Sequence, residues 1–187
     1  MRWKTLFQDL ELELHGLHKQ QETSEVREQI RTQSAEITIA DRLRGSIDSQ
    51  VEITTVGGHT VEGVVTRCYS QWLLLREIRG EALIPLHAIV AVSGLTSQIA
   101  APAGPSASRL TLAHALRGLA RDRSSVQVET TGGQFWGMFG TIGRDWAQMR
   151  LLRPGEVRAT SAAHAPAAAR SEVTLTHEAM CVVLNRS

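Results

Sequence analysis

The sequence predicts a mainly β protein with helices: two tandem five-stranded bent β-barrels, each preceded by a short helix, plus an N-terminal helix. Three observations carry that expectation. The chain repeats itself across four segments in the same order. Each repeat alternates β-branched and polar residues up to a Gly-Gly pair. Each repeat also opens on a stretch with helical spacing of apolar residues.

The repeat is read first, because a missed repeat misassigns a whole fold. Residues 37–45 are ITIADRLRG and residues 110–118 are LTLAHALRG. VEITTVGGHTVEGVV (51–65) aligns with VQVETTGGQFWGMF (126–139), the pairs Gly57-Gly58 and Gly132-Gly133 coinciding. QWLLLRE (71–77) aligns with DWAQMRL (145–151), which puts Trp72 on Trp146. IPLHAIVAV (84–92) aligns with LTHEAMCVV (175–183).

Each segment has a physical form. The first has apolar residues near i, i+3, i+4 and i+7, with Thr38 and Thr111 available as caps, so it predicts a short helix. VEITTV and VQVETT predict strands, and Gly-Gly a tight turn into an antiparallel partner. Gly63 and Gly137 fall inside the second strand, where glycine marks a bulge or bend that curls a sheet. The third strand is QWLLLRE. ALIPLHAIVAV holds the last two, with Pro85 at an edge or at the corner between them, since a strand interior rejects proline.

This divides the chain into an N-terminal helix (1–34), repeat one (35–94), a linker (95–108) and repeat two (109–187). In residues 4–33, Leu6, Leu10, Leu14 and Leu17 form an apolar stripe. GLTSQIAAPAGPSAS has linker composition. Residues 153–170, RPGEVRATSAAHAPAAAR, replace the five residues EIRGE of repeat one and predict a mobile loop. About sixty residues is little for an independent core, so the repeats are expected to pack together or to assemble between chains.

Composition narrows the function classes. The 187 residues carry a net charge of +1, too little for a strong field over the whole surface. Residues 100–158 are the basic part, with eight basic and four acidic groups. Two distant cysteines in apolar stretches, Cys68 and Cys181, predict buried thiols in a reducing compartment. No stretch approaches the ~20 apolar residues of a membrane span, and MRWKTLFQDLELELH lacks a signal-peptide core. A cytoplasmic protein with no membrane contact is expected.

The order helix, strand, Gly turn, bent strand with a central Gly, strand, short strand, tight corner and strand resembles the Sm-like (LSm) fold, best over residues 37–94. LIPLHAIVAV is similar to the second Sm motif of the bacterial Hfq branch, whose corner reads Lys-His-Ala-Ile where this chain has Leu86-His87-Ala88-Ile89. His177 stands at the position of Leu86 in repeat two. The opening MRW..LF.DLE also resembles that of actinobacterial proteins of unassigned function. The family resemblance implies binding of uridine- or adenine-rich strands. It also implies ring assembly by pairing the fourth strand of one unit with the fifth of the next.

Enzyme motifs are missing: the chain has no Walker loop, GxSxG, HExxH or CxxC. His15 and His18 could share a metal, but two ligands make no site, so no metal and no cofactor is expected. Cys68 lies in an apolar strand pattern and reads as inert packing. Asp41 and His114 hold equivalent positions with different chemistry, against one catalytic role in both repeats.

Two non-catalytic readings follow. The first is a binder of single-stranded RNA. His87 and His177 would face the barrel mouth, Arg117, Arg121 and Arg123 would track the backbone, and Arg150 and Arg153 would lie near. Trp72 and Trp146 suit barrel packing better than base stacking, whereas Phe135 and Trp136, just past a Gly-Gly turn, would form an aromatic contact surface. The alternative is a protein-interaction or assembly module that uses sheet edges and the N-terminal helix. A tandem chain would satisfy one strand junction internally and leave two edges, so that three chains make a six-unit ring; a monomeric barrel pair is the other outcome.

Overall fold

A computed structural model describes residues 37–100, 110–152 and 172–185. The N-terminal helix expected over 1–34, most of the linker and the loop expected at 153–170 lie outside the described residues. Two helices and ten strands are described. Helix α1 is Ile39–Gly45, followed by β1 Gln50–Thr55, β2 Thr60–Cys68, β3 Trp72–Glu77, β4 Gly80–Pro85 and β5 Ile89–Ser93. Helix α2 is Leu112–Arg121, followed by β6 Ser125–Thr130, β7 Gly133–Ile142, β8 Trp146–Leu151, β9 Glu172–Thr176 and β10 Met180–Asn185.

All ten strands form one antiparallel sheet in the order β5-β1-β2-β3-β4-β10-β6-β7-β8-β9. The expectation of two tandem five-stranded barrels therefore meets a continuous, unclosed sheet. Each half keeps the same internal order, with its last strand returning to pair with its first. The halves meet where β4 pairs with β10, Leu83 opposite Val183, Ala82 opposite Leu184 and Glu81 opposite Asn185.

Local chemistry explains the element boundaries. Thr111 is extended and its side chain accepts a hydrogen bond from the backbone N–H of His114, which starts α2. Helix α1 ends at Gly45, where a Cβ would stand 2.2 Å from the carbonyl oxygen of Gln98. Residues 95–100, at the start of the expected linker, are tied back here. Thr96 Oγ1 donates to the carbonyl of Gly45, and the backbone N–H of Ala100 donates to that of Asp41. Pro85 closes β4 opposite Trp72, beyond the last residue paired with β10, and leads into a 3₁₀ turn over Leu86–Ala88.

Gly63 and Gly137 lie inside β2 and β7 for a reason other than the bulge itself. A Cβ at Gly63 would meet the Arg76 carbonyl oxygen at 2.8 Å, and one at Gly137 would meet that of Arg150 at 2.1 Å. The register shifts come later, between Val65 and Arg67 in β2 and between Phe139 and Ile142 in β7. Glycine permits the close approach of the third strand; the bulge beyond it bends the sheet.

Two cores result, and each borrows from the other half. Repeat one encloses Leu43, Val51, Ile53, Val65, Leu73 and Leu75, and β10 adds Cys181, Val182 and Leu184. Repeat two encloses Leu116, Val126, Val128, Phe139 and Met149, and repeat one adds Trp72 and Leu83. This exchange answers the small size of each unit: neither core is complete within one repeat.

Candidate functional site

The internal junction is the most detailed recognition surface among the described residues. Its backbone part is the β4·β10 ladder. Its side-chain part is a helix start seated on the other repeat. Trp72, 8% exposed, donates from Nε1 to the Leu110 carbonyl oxygen at 2.9 Å. The neighbouring Gln71 accepts through Oε1 from the backbone N–H of Leu112, also at 2.9 Å. Repeat one thereby satisfies one of the orphan donors at the start of α2.

The same positions at the two ends of the sheet have opposite environments. Among the described residues, the outer edges of β5 and β9 pair with no strand. Val90 is 63% exposed, whereas its equivalent Cys181 is fully buried. Trp146 is 37% exposed, against the buried Trp72. Ile39 is 43% exposed, against the buried Leu112. Each of these three exposed apolar residues is the repeat counterpart of a side chain in the junction cores. Other counterparts are smaller or more polar: Thr174 stands for Leu83, Ala91 for Val182 and Ser93 for Leu184.

The residues expected from sequence to contact RNA are only partly brought together. His87 is exposed on the first 3₁₀ turn. His177 lies on the equivalent turn, His177–Ala179, and is buried. Burial pushes the His177 imidazole below its ordinary range; Asp145 and a backbone hydrogen bond at Trp146 oppose this, while Arg117 and His87 add to it. His87 and Arg117 therefore each lie within electrostatic reach of His177. Arg117 Nη2 donates to the carbonyl oxygens of Ile142 and Gly143 at 3.3 and 3.4 Å, which anchors the guanidinium at the β7–β8 turn.

Arg121 and Arg123 are exposed at the end of α2, Arg123 with φ of 51°. Arg150 is half-buried on β8, opposite Glu172 of β9. Arg153 lies outside the described residues. Phe135 packs partly into the second core, while Trp136, next along β7, is exposed. The two aromatics alternate across the strand and do not make one stacking surface.

Cys68 is buried, and burial pushes its thiol up to about 11, in keeping with packing rather than nucleophilic chemistry. No group of three His, Cys, Asp or Glu among the described residues is placed to hold a metal ion. No helix among them is long and apolar enough to cross a membrane. Sequence reasoning passed over Gln71 and the pair His59–Glu129, whose Nε2 and Oε2 stand 3.4 Å apart across the two repeats. Nothing in the spacing of those residues distinguishes them from surface polar positions. Comparison with protein families, with curated proteins and with solved structures finds no match to this chain.

Proposed function

We propose that this protein is a non-catalytic assembly module whose copies join head to tail, β9 of one chain adding to β5 of the next. One observation carries the reading: the chain already makes this junction once, between β4 and β10, and keeps the counterparts of both partners as outer edges. An unpaired edge is a template for strand addition. The internal register sets the external one: Val92 opposite Thr174, Ser93 opposite Val173 and Gly94 opposite Glu172. The exposed Val90, Ile39 and Trp146 are then covered as Cys181, Leu112 and Trp72 are in the internal junction. Pairing of fourth and fifth strands is also what the Sm-like resemblance implies.

Such a contact is heterologous, so the rotation per junction decides between a closed ring and an open filament; six units from three chains is the family expectation. The polar counterparts Thr174 and Ser93 make the external junction weaker than the internal one, and association depends on concentration. Sedimentation velocity tests the proposal with Val90→Glu, which spoils one edge, and Trp146→Glu, which spoils the other. Wild type is expected to form species larger than a monomer and each variant alone to stay monomeric. An equimolar mixture is expected to stop at a dimer, because one good edge of each kind remains. A wild-type monomer at roughly 100 µM, where a contact of about 5.5 kcal/mol would be half-saturated, would overturn the reading.

The grouping of His87, Arg117 and His177 favours a second reading, contact with single-stranded RNA. Under it, fluorescence anisotropy with random, U-rich and A-rich RNAs shows binding that weakens steeply with salt and is lost when Arg117, Arg121 and Arg123 are replaced together. No binding at low salt leaves the assembly reading alone.

A further inference from the structure

Beyond its edges, the sheet holds a cleft of about 140 Å³ at the meeting of the two repeats. His59, Thr60 and Glu77 of repeat one line it together with Glu129 of repeat two, and Val182 and Leu184 of β10 supply apolar wall. Glu129 is 4% exposed. Its Oε1 accepts from Gln127 Nε2, while Oε2 has no hydrogen-bond partner. His59 Nε2 lies 3.4 Å from Oε2, in ion-pair range without a hydrogen bond. The buried Gln127 also leaves Oε1 without a donor.

A buried carboxylate is costly unless a cation or several donors satisfy it. Here the chain supplies one amide and one imidazole. No Lys or Arg among the described residues lines the cleft. Water would fill the space, but it brings no charge. A metal ion is disfavoured because no three of the described His, Cys, Asp and Glu residues, His59, Glu77 and Glu129 included, are placed to hold one. The cleft has two carboxylates from the two repeats, one unfilled carboxylate oxygen and an apolar wall, and it is smaller than the roughly 300 Å³ of drug-sized pockets. Those features call for a compact head group rich in N–H donors, on a short apolar stem.

We propose that the Glu77–Glu129 cleft binds an organic cation, a guanidinium or primary ammonium group on an alkyl stem. A planar guanidinium offers five donors in a fixed fork, so that one head group can serve Glu129 Oε2 and a second acceptor of the cleft wall. The stem lies against Val182 and Leu184. Because the walls come from both repeats, an occupied cleft also clamps the internal junction.

Isothermal titration calorimetry with n-butylguanidinium, n-butylammonium and the neutral isostere n-butylurea tests this. The two cations are expected to bind and the urea not to. Glu129→Gln, which keeps size and removes charge, is expected to weaken binding at least about tenfold. Glu77→Gln, at a half-exposed position that folding tolerates, is expected to weaken it as well, which keeps the test decisive if Glu129→Gln fails to fold. A capped Ala-Ala-Arg-Ala-Ala peptide separates the two sources of this chemistry. Tighter binding than butylguanidinium assigns the cleft to a protein side chain, and weaker binding assigns it to a free small cation. Equal binding of butylurea, no binding of either cation, or affinity unchanged in Glu77→Gln would each overturn the proposal.

Discussion

Trp72 donates its indole N–H to the carbonyl oxygen of Leu110 at 2.9 Å and so fastens the third strand of one repeat to the helix of the other. Its repeat counterpart Trp146 meets no further repeat among the described residues and is 37% exposed. Replacing each by alanine should separate the two environments. Trp72→Ala removes a large side chain from the second core and should cost ~3–5 kcal/mol, whereas Trp146→Ala, at a partly exposed position, should cost the monomer less. Urea unfolding at low protein concentration measures both without interference from association.

The glycines inside the bent strands give a second, graded prediction. Gly137→Ala would press its Cβ to 2.1 Å from the Arg150 carbonyl oxygen, and Gly63→Ala to 2.8 Å from that of Arg76. Both contacts are with backbone, which cannot rotate away. Each substitution should cost on the order of 1–3 kcal/mol, Gly137→Ala the more. Thermal unfolding of the two variants beside Gly118→Ala checks the order, because the Gly118 position has open space and lies in a helix, where alanine is favoured.

The buried thiols predict a chemical and a pH signature. Burial raises both Cys68 and Cys181, so iodoacetamide should modify the native protein far more slowly than the urea-unfolded chain. The Cys68 thiol ionises near 9.0 when unfolded and at about 11 when folded. Between those values the folded state holds the extra proton. The associated stability is complete below 9.0 and declines as pH climbs through about 11. Urea midpoints across that window should fall less steeply in Cys68→Ala.

Acid should act through His177. Its Nε2 is buried without a hydrogen-bond partner, and burial holds the imidazole below the ordinary 6.5. The unfolded chain therefore takes up the proton first. The stabilising contribution is present above 6.5 and is lost as pH falls through the lower folded value. His177→Gln should flatten the acid limb of the stability profile, read from urea midpoints at a series of pH values.

Much of the architecture is legible in residue patterns. Alternation in VEITT and VQVET places Val51, Ile53, Val126 and Val128 on buried faces, and these four line the two cores. Pro85 sits at the corner where its missing N–H is tolerated. Functional placement is less legible. His87 and His177 align one residue apart in the repeats, but one is exposed and the other buried, because burial depends on which elements come to lie over each 3₁₀ turn. Glu129 looks like a solvated strand residue next to Gln127, and only the fold brings His59 over it.

The duplication, the strand and helix order within each repeat and the glycines that let the strands approach follow from local periodicity and backbone sterics. Only tertiary contacts settle that the two repeats share one sheet through β4 and β10, that each core is completed by the other, and that Cys181, Trp72 and Leu112 are buried while their counterparts Val90, Trp146 and Ile39 are exposed. The reason is physical. Equivalent sequences have equivalent local preferences, but a linear chain of two units has one internal junction and two ends, and burial is decided by what lies across the junction.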